Sequence, residues 1–106
     1  MKTIVFNKNY NNKLNADCYT TLRLFNPNEY NLGECYSIML DKRIIHYAEL
    51  VYMQDLPMAM VTPAMAWIDT GTGVHELHSI LQECYKGKTN ILPSTRMHFL
   101  IFKKIK

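Results

Sequence analysis

Glycine, proline and cysteine are all scarce in this chain, and each scarcity excludes something. Four glycines and four prolines in 106 residues are too few for a collagen-like, low-complexity or linker-rich protein. Three cysteines, Cys18, Cys35 and Cys84, form no CxxC pair and cannot all be bridged. That rules out a disulfide scaffold and fits free thiols in a reducing compartment. The histidines are scattered, and His75 and His78 lack the spacing of an HExxH helix, so neither a metal nor any other cofactor is expected. No run approaches the roughly 18 apolar residues of a membrane span, and the stretch after Met1 is too short for a signal-peptide apolar region. A cytoplasmic protein with no membrane association is expected. Acid is missing from one region in particular: from Lys86 onward there are six basic residues, Lys86, Lys88, Arg96, Lys103, Lys104 and Lys106, and no Asp or Glu. Such a bias serves solubility or attracts phosphate backbones, and charge alone does not choose between them.

What is present indicates a folded α+β domain spanning 1–106. Apolar residues make up 48% of the chain and the net charge is +3, within the range of a globular protein with one core. Thr3 to Phe6 is β-branched and aromatic, a first strand. The asparagine-rich Asn7 to Asn12 disfavours a long regular element, and a helical turn near Asn11 to Asn15 leads on. Lys13 to Arg23 then reads as the organising stretch, its second half a strand with Leu22 and Leu24 on a core face and Tyr19, Thr21 and Arg23 on a polar face. Phe25 to Glu34 is a loop punctuated by Asn-Pro and Gly33. Cys35 to Leu40 and Ile44 to Met53 form a hairpin about Asp41-Lys42-Arg43. His46 in the second of these strands reads as a sheet residue before it reads as a ligand.

Pro57 to Trp67 is helix-compatible, with Pro63 either starting or kinking the helix. Its Met58, Met60 and Met65 read as core packing beneath a surface helix. Asp69 to Gly73 is a glycine-bearing loop before a helix; it lacks the lysine and the GxxxxGK[ST] spacing of a triphosphate loop, though its N–H groups can meet a small anion. The helix itself carries an apolar stripe of Val74, Leu77, Ile80, Leu81, Cys84 and Tyr85, closed by Lys86 and Gly87. With Gly73 as N-cap, Glu76 falls at N3, where it opposes the helix dipole or borders a cleft. Met97 to Phe102, apolar on both faces, is a central closing strand.

Thr21 and Arg23, two residues apart on one face, stand about 6 to 7 Å apart at roughly 3.3 Å per residue. They can hold one small polar or anionic group between them. They can equally be a β-former and a solvated strand-end charge.

The layout, and Lys13 to Arg23 above all, resembles the ASCH domain family. That family's early signature runs Ile-Leu-x-Gly-x-Lys-Thr-x-Thr-x-Arg, followed by a loop and Gly-Asp. This chain has Leu14, Ala16 in the glycine place, Cys18 in the lysine place, Tyr19 for the first threonine, then Thr21 and Arg23 as in the signature, and Gly33-Glu34 for Gly-Asp. The family's Thr-x-x-Glu-Leu before a helix ending in tyrosine is similar to Gly73 to Leu77 with Tyr85, and its closing strand to Phe99 to Lys103. The resemblance implies a small mixed PUA-like β-barrel with two or three flanking helices. It also implies a cleft lined by Thr21, Arg23 and Glu76 that binds RNA, a nucleoside or a modified nucleobase, with Tyr19 or Trp67 as a stacking plane. The alternative it implies is an amidohydrolase deacylating N4-acetylcytidine or a related acylated nucleoside. There Thr21 is the nucleophile, Glu76 its acid/base partner and Arg23 the group that steadies the ligand. In such enzymes a lysine activates the threonine. Cys18 occupies its place and cannot do so, leaving Lys13 or Lys8 as candidates from the preceding segment.

Overall fold

Short β-branched and aromatic runs broken by Asn, Asp and Gly set out the strands. A computed structural model of the chain describes residues 1–105. It contains, in order, β1 (Thr3–Phe6), a 3-10 turn (Tyr10–Asn15), β2 (Cys18–Leu24), β3 (Cys35–Leu40), β4 (Arg43–Pro57), a second 3-10 turn (Met58–Met60), α1 (Pro63–Thr70), α2 (Val74–Cys84) and β5 (Arg96–Lys104). Lys106, the last of the basic residues counted above, lies outside the described residues.

The five strands form one mixed sheet in the order β1-β3-β4-β5-β2. β1 runs parallel to β3, and the other pairings are antiparallel. β4 is longer than its pattern of apolar residues indicates because its partner continues: the ladder with β5 runs through Leu56↔Met97 to Pro57↔Arg96. Its first half pairs with β3 and its second with β5, with a register shift between Leu50 and Tyr52. Bulges of this kind bend and twist a strand, and the sheet curls into a half-barrel. The outermost strands are drawn together across the open side, where Arg23 Nη2 on β2 donates to the Val5 carbonyl on β1 at 2.9 Å.

Curling divides the core in two. One cluster lies inside the curl and includes Ile4, Phe6, Leu14, Tyr19, Tyr36, Leu50 and Phe102. The other lies between the outside of the sheet and the helices, and includes Leu22, Leu56, Ala66, Leu77, Leu81, Met97 and Phe99. β5 contributes to both, in keeping with its two apolar faces and its place between β4 and β2. β2 departs from the expected core face and polar face, since Tyr19, Thr20, Thr21 and Leu22 are all buried. Its Tyr19 side meets the inner cluster and its Leu22 side the outer one, so the hydroxyls of Thr20 and Thr21 are carried into the interior.

The helical region also differs from the sequence expectation at both ends. The helix does not begin at Pro57, which ends β4; Pro63 starts α1, one of the two roles its sequence position allowed: Thr62 is the N-cap, its hydroxyl accepting from the Met65 N–H at 3.2 Å, and the fixed φ of proline suits the first helical position. Asp69 and Thr70 are the last turn of α1, not loop residues. The helix ends at Gly71, whose left-handed φ of 74° lets its N–H close on the Trp67 carbonyl, a conformation for which glycine is suited. Only three residues then separate α1 from α2, which begins after the N-cap Gly73.

Candidate functional site

Where the two outermost strands approach each other and the helices cross them, a hollow of about 290 Å³ opens. Phe6 and Lys8 lie on the β1 side, Thr21 and Arg23 on β2, Lys13 on the first 3-10 turn, and Asp69 on α1. The stripe of α2 supplies the apolar wall through Leu77, Ile80 and Leu81. Four of the lining side chains are basic, Lys8, Lys13, Arg23 and Lys88, and one, Asp69, is acidic.

At its centre is a buried ion pair. Lys13 Nζ donates to Asp69 Oδ1 at 2.8 Å, the two residues being 9% and 4% exposed. The Thr20 hydroxyl donates to the same oxygen, also at 2.8 Å. Oδ2 takes no hydrogen bond from the described residues. Burial lowers the Lys13 pKa below its ordinary 10.5, Asp69 opposes that shift, and the nearby Arg23 guanidinium reinforces it. Desolvation disfavours the charged ammonium and so favours the form that can accept a proton.

Arg23 is half-buried and is held at two points. Its Nε donates to Thr21 Oγ1 at 3.0 Å and its Nη2 to the Val5 carbonyl, while the guanidinium stands 4.7 Å from the centre of the Phe6 ring. Lys13 Nζ lies 5.5 Å from the same ring. Because Thr21 accepts from Arg23, its own O–H proton remains free to donate.

Of the five residues singled out from sequence, Thr21 and Arg23 come together in the hollow, and Tyr19, Trp67 and Glu76 do not line it. Glu76 stands exposed in the first turn of α2. It precedes Leu77, which does line the hollow, but its own side chain lies in solvent and outside that lining. Trp67 is 58% exposed on α1. Tyr19 is packed inside the curl, its ring stacked on Phe102 and its hydroxyl within 2.7 Å of His46 Nε2. Burial pushes the Tyr19 hydroxyl pKa well up, against a smaller opposing pull from Arg23.

The acid that lines the hollow with Thr21 and Arg23 is Asp69, a helix residue set in a stretch of loop-like composition. A signal for it existed. Ala66, Asp69 and Thr70 share the i, i+3, i+4 spacing of one helix face, and that face is buried. Lys13 takes the interior position for which the segment before the strand was the expected source.

No family model matches the chain, and no curated protein matches it in sequence. Its architecture is nonetheless found elsewhere. The chain has a fold similar to that of protein EF3133 from Enterococcus faecalis V583. The crystal structure of that DUF984 protein superposes with a TM-score of 0.69 at 12% identity, covering 99% of this chain and 81% of the other. At that identity the likeness bears on the fold alone.

A second depression, bounded by Met58, Ala59, Val74, His75, His78 and Pro93, offers no lysine, hydroxyl or carboxylate. His78 there is already hydrogen-bonded to the Ile91 carbonyl at 2.7 Å.

Proposed function

We propose that the hollow is a binding site for a nucleoside or modified nucleobase, the ligand class implied by the ASCH resemblance with its PUA-like barrel. The observation that carries this reading is the convergence, in one hollow, of polar groups with capacity to spare. Asp69 Oδ2 is an open acceptor suited to an exocyclic amine, and the Thr21 hydroxyl is an open donor suited to a carbonyl. Phe6 and Leu77 provide apolar walls. A volume of about 290 Å³ lies at the small end of ligand pockets, which run from roughly 300 to 1,000 Å³. That size suits a single nucleoside better than a polymer. Of the basic residues of the last segment, Lys88 is at the hollow and Arg96 is paired with Asp55.

One observation favours hydrolysis of an acylated nucleoside as the second reading. Lys13, with its lowered pKa, lines the same space as Thr21, and a desolvated lysine is a competent proton acceptor for a hydroxyl nucleophile. The unprotonated Lys13 amine would take the Thr21 proton as Thr21 attacks the acyl carbonyl. Asp69 would hold the resulting ammonium, which would return the proton to the nucleobase amine as the C–N bond breaks, and water would then cleave the acyl-threonine ester to release the acid.

Incubation with N4-acetylcytidine and with cytidine separates the two readings. Turnover lost in both Thr21→Val and Lys13→Met establishes hydrolysis. Absent turnover, thermal stabilisation on the order of 10 °C at about 100 times Kd supports binding. Neither turnover nor stabilisation by any nucleoside refutes both.

A further inference from the structure

We propose that the ligand of this hollow is a phosphomonoester, a nucleoside 5′-monophosphate and not the uncharged nucleoside, with Arg23 as its anion anchor; the nucleoside half of this statement rests on the reading above, and the phosphate half rests on charge. Arg23 uses two of its five N–H groups, on Thr21 and Val5. The remaining three have no hydrogen-bond partner, and the guanidinium no carboxylate partner, among the described residues. An arginine at a pocket wall with unspent donors and no counter-ion is a site for a planar, charge-assisted contact to an oxyanion. Its bonds to Thr21 and Val5 fix the guanidinium in advance, so little rotamer freedom is left to lose on binding.

The charge balance narrows the anion. Asp69 is already matched by Lys13, which leaves Arg23 with Lys8 and Lys88, both exposed and neither in an ion pair among the described residues. Three cations suit a phosphomonoester, with roughly −1.5 to −2 charges near neutral pH, better than a single carboxylate. A nucleic-acid backbone offers one charge per phosphodiester spread along a surface, whereas these cations surround a hollow of about 290 Å³. The monophosphate places its dianion against Arg23 and the two lysines and leaves the base to Asp69 and Thr21.

The test is a set of calorimetric titrations of the full chain with cytidine, cytidine 5′-monophosphate, inorganic phosphate and a ten-residue oligouridylate, in low and high salt. The monophosphate should bind at least about tenfold tighter than cytidine, an advantage that shrinks several-fold between low and high salt. Arg23→Gln should cut that advantage to less than about threefold. Because Arg23 also ties β2 to β1, the exposed pair Lys8→Gln/Lys88→Gln provides a second readout, and it should reduce the monophosphate preference and its salt dependence without changing Tm. Equal affinity for cytidine and its monophosphate overturns the phosphate inference and leaves the nucleoside reading standing. Binding of phosphate and of the monophosphate with the same affinity upholds the anion site and removes the nucleoside reading. Tight binding of the oligouridylate with none of the monophosphate overturns the inference in favour of a polymer.

Discussion

Replacing Asp69 with Asn probes the buried pair on which the hollow is built. The substitution keeps an oxygen where Lys13 Nζ and the Thr20 hydroxyl both donate, and removes only the charge that offsets burial of the ammonium. Removing one partner of a buried pair costs about 3–5 kcal/mol. Lys13 has an escape that a buried carboxylate lacks, because it can lose its proton. Its folded pKa is already below 10.5, and Asp69 supplies the two influences that hold it up. In Asp69→Asn those vanish, burial and Arg23 remain, and the folded pKa falls further. Between the folded value and 10.5 the unfolded chain binds a proton that the folded chain does not, so stability rises with pH across that window. The window is wider in the variant and opens at lower pH. The loss of stability in urea unfolding should therefore be about 3 kcal/mol near pH 7 and less than about half of that near pH 9.5, with an unchanged m-value. Lys13→Met gives the opposite control: it strands a carboxylate beside one hydroxyl, and raising the pH offers no relief. A penalty in Asp69→Asn below about 1 kcal/mol, or one that does not change with pH, would refute this reasoning.

Gly71→Ala should cost about 1–2 kcal/mol, read by urea unfolding, because φ is 74° there and the added Cβ would lie 3.1 Å from Asn11 Oδ1; a neutral outcome would show that the α1 terminus is not so constrained. His98 is buried with neither ring nitrogen hydrogen-bonded among the described residues, its ring stacked on Phe25 at 4.7 Å. Its pKa is lowered by burial, then raised in part by Asp55 and lowered by Arg96, so protonation favours the unfolded chain and stability falls as pH drops below 6.5 toward the folded value. His98→Phe keeps the stack, should be neutral or stabilising by about 1 kcal/mol near pH 7, and should shorten the acid limb of a stability–pH curve. The part due to His46, also lowered by burial and by Lys104, should remain. An unchanged acid limb would rule His98 out as a contributor.

Much of the fold was legible because its signals are local. Two-face apolarity marked Met97 to Phe102 as central, and the Asp41-Lys42-Arg43 break marked the hairpin, whose second strand takes in Arg43 opposite Leu40. The stripe of α2 matched the residues that cover the sheet and wall the hollow. What was not legible depends on closure. Alternation along β2 allotted one face to solvent, but a curled sheet capped by helices buries both, and nothing within Tyr19 to Arg23 reveals that. The setting of Asp69 was obscured for a similar reason. Asp-Thr-Gly-Thr-Gly has the composition of a loop, and only the buried spacing of Ala66, Asp69 and Thr70 shows that the helix continues through it. Glu76 matched a motif by position, and it stands exposed in the first turn of α2, outside the lining of the hollow.

Backbone amide shifts of the full chain, followed while cytidine is titrated in, would locate the ligand without reliance on any variant. The largest changes should centre on Thr21, Arg23, Asp69 and Thr70, while His75 and Glu76 stay near their starting positions. Changes centred instead on Met58, Val74 and His78, or on the exposed Tyr47 and Tyr52 of β4, would contradict the assignment of the hollow as the binding site.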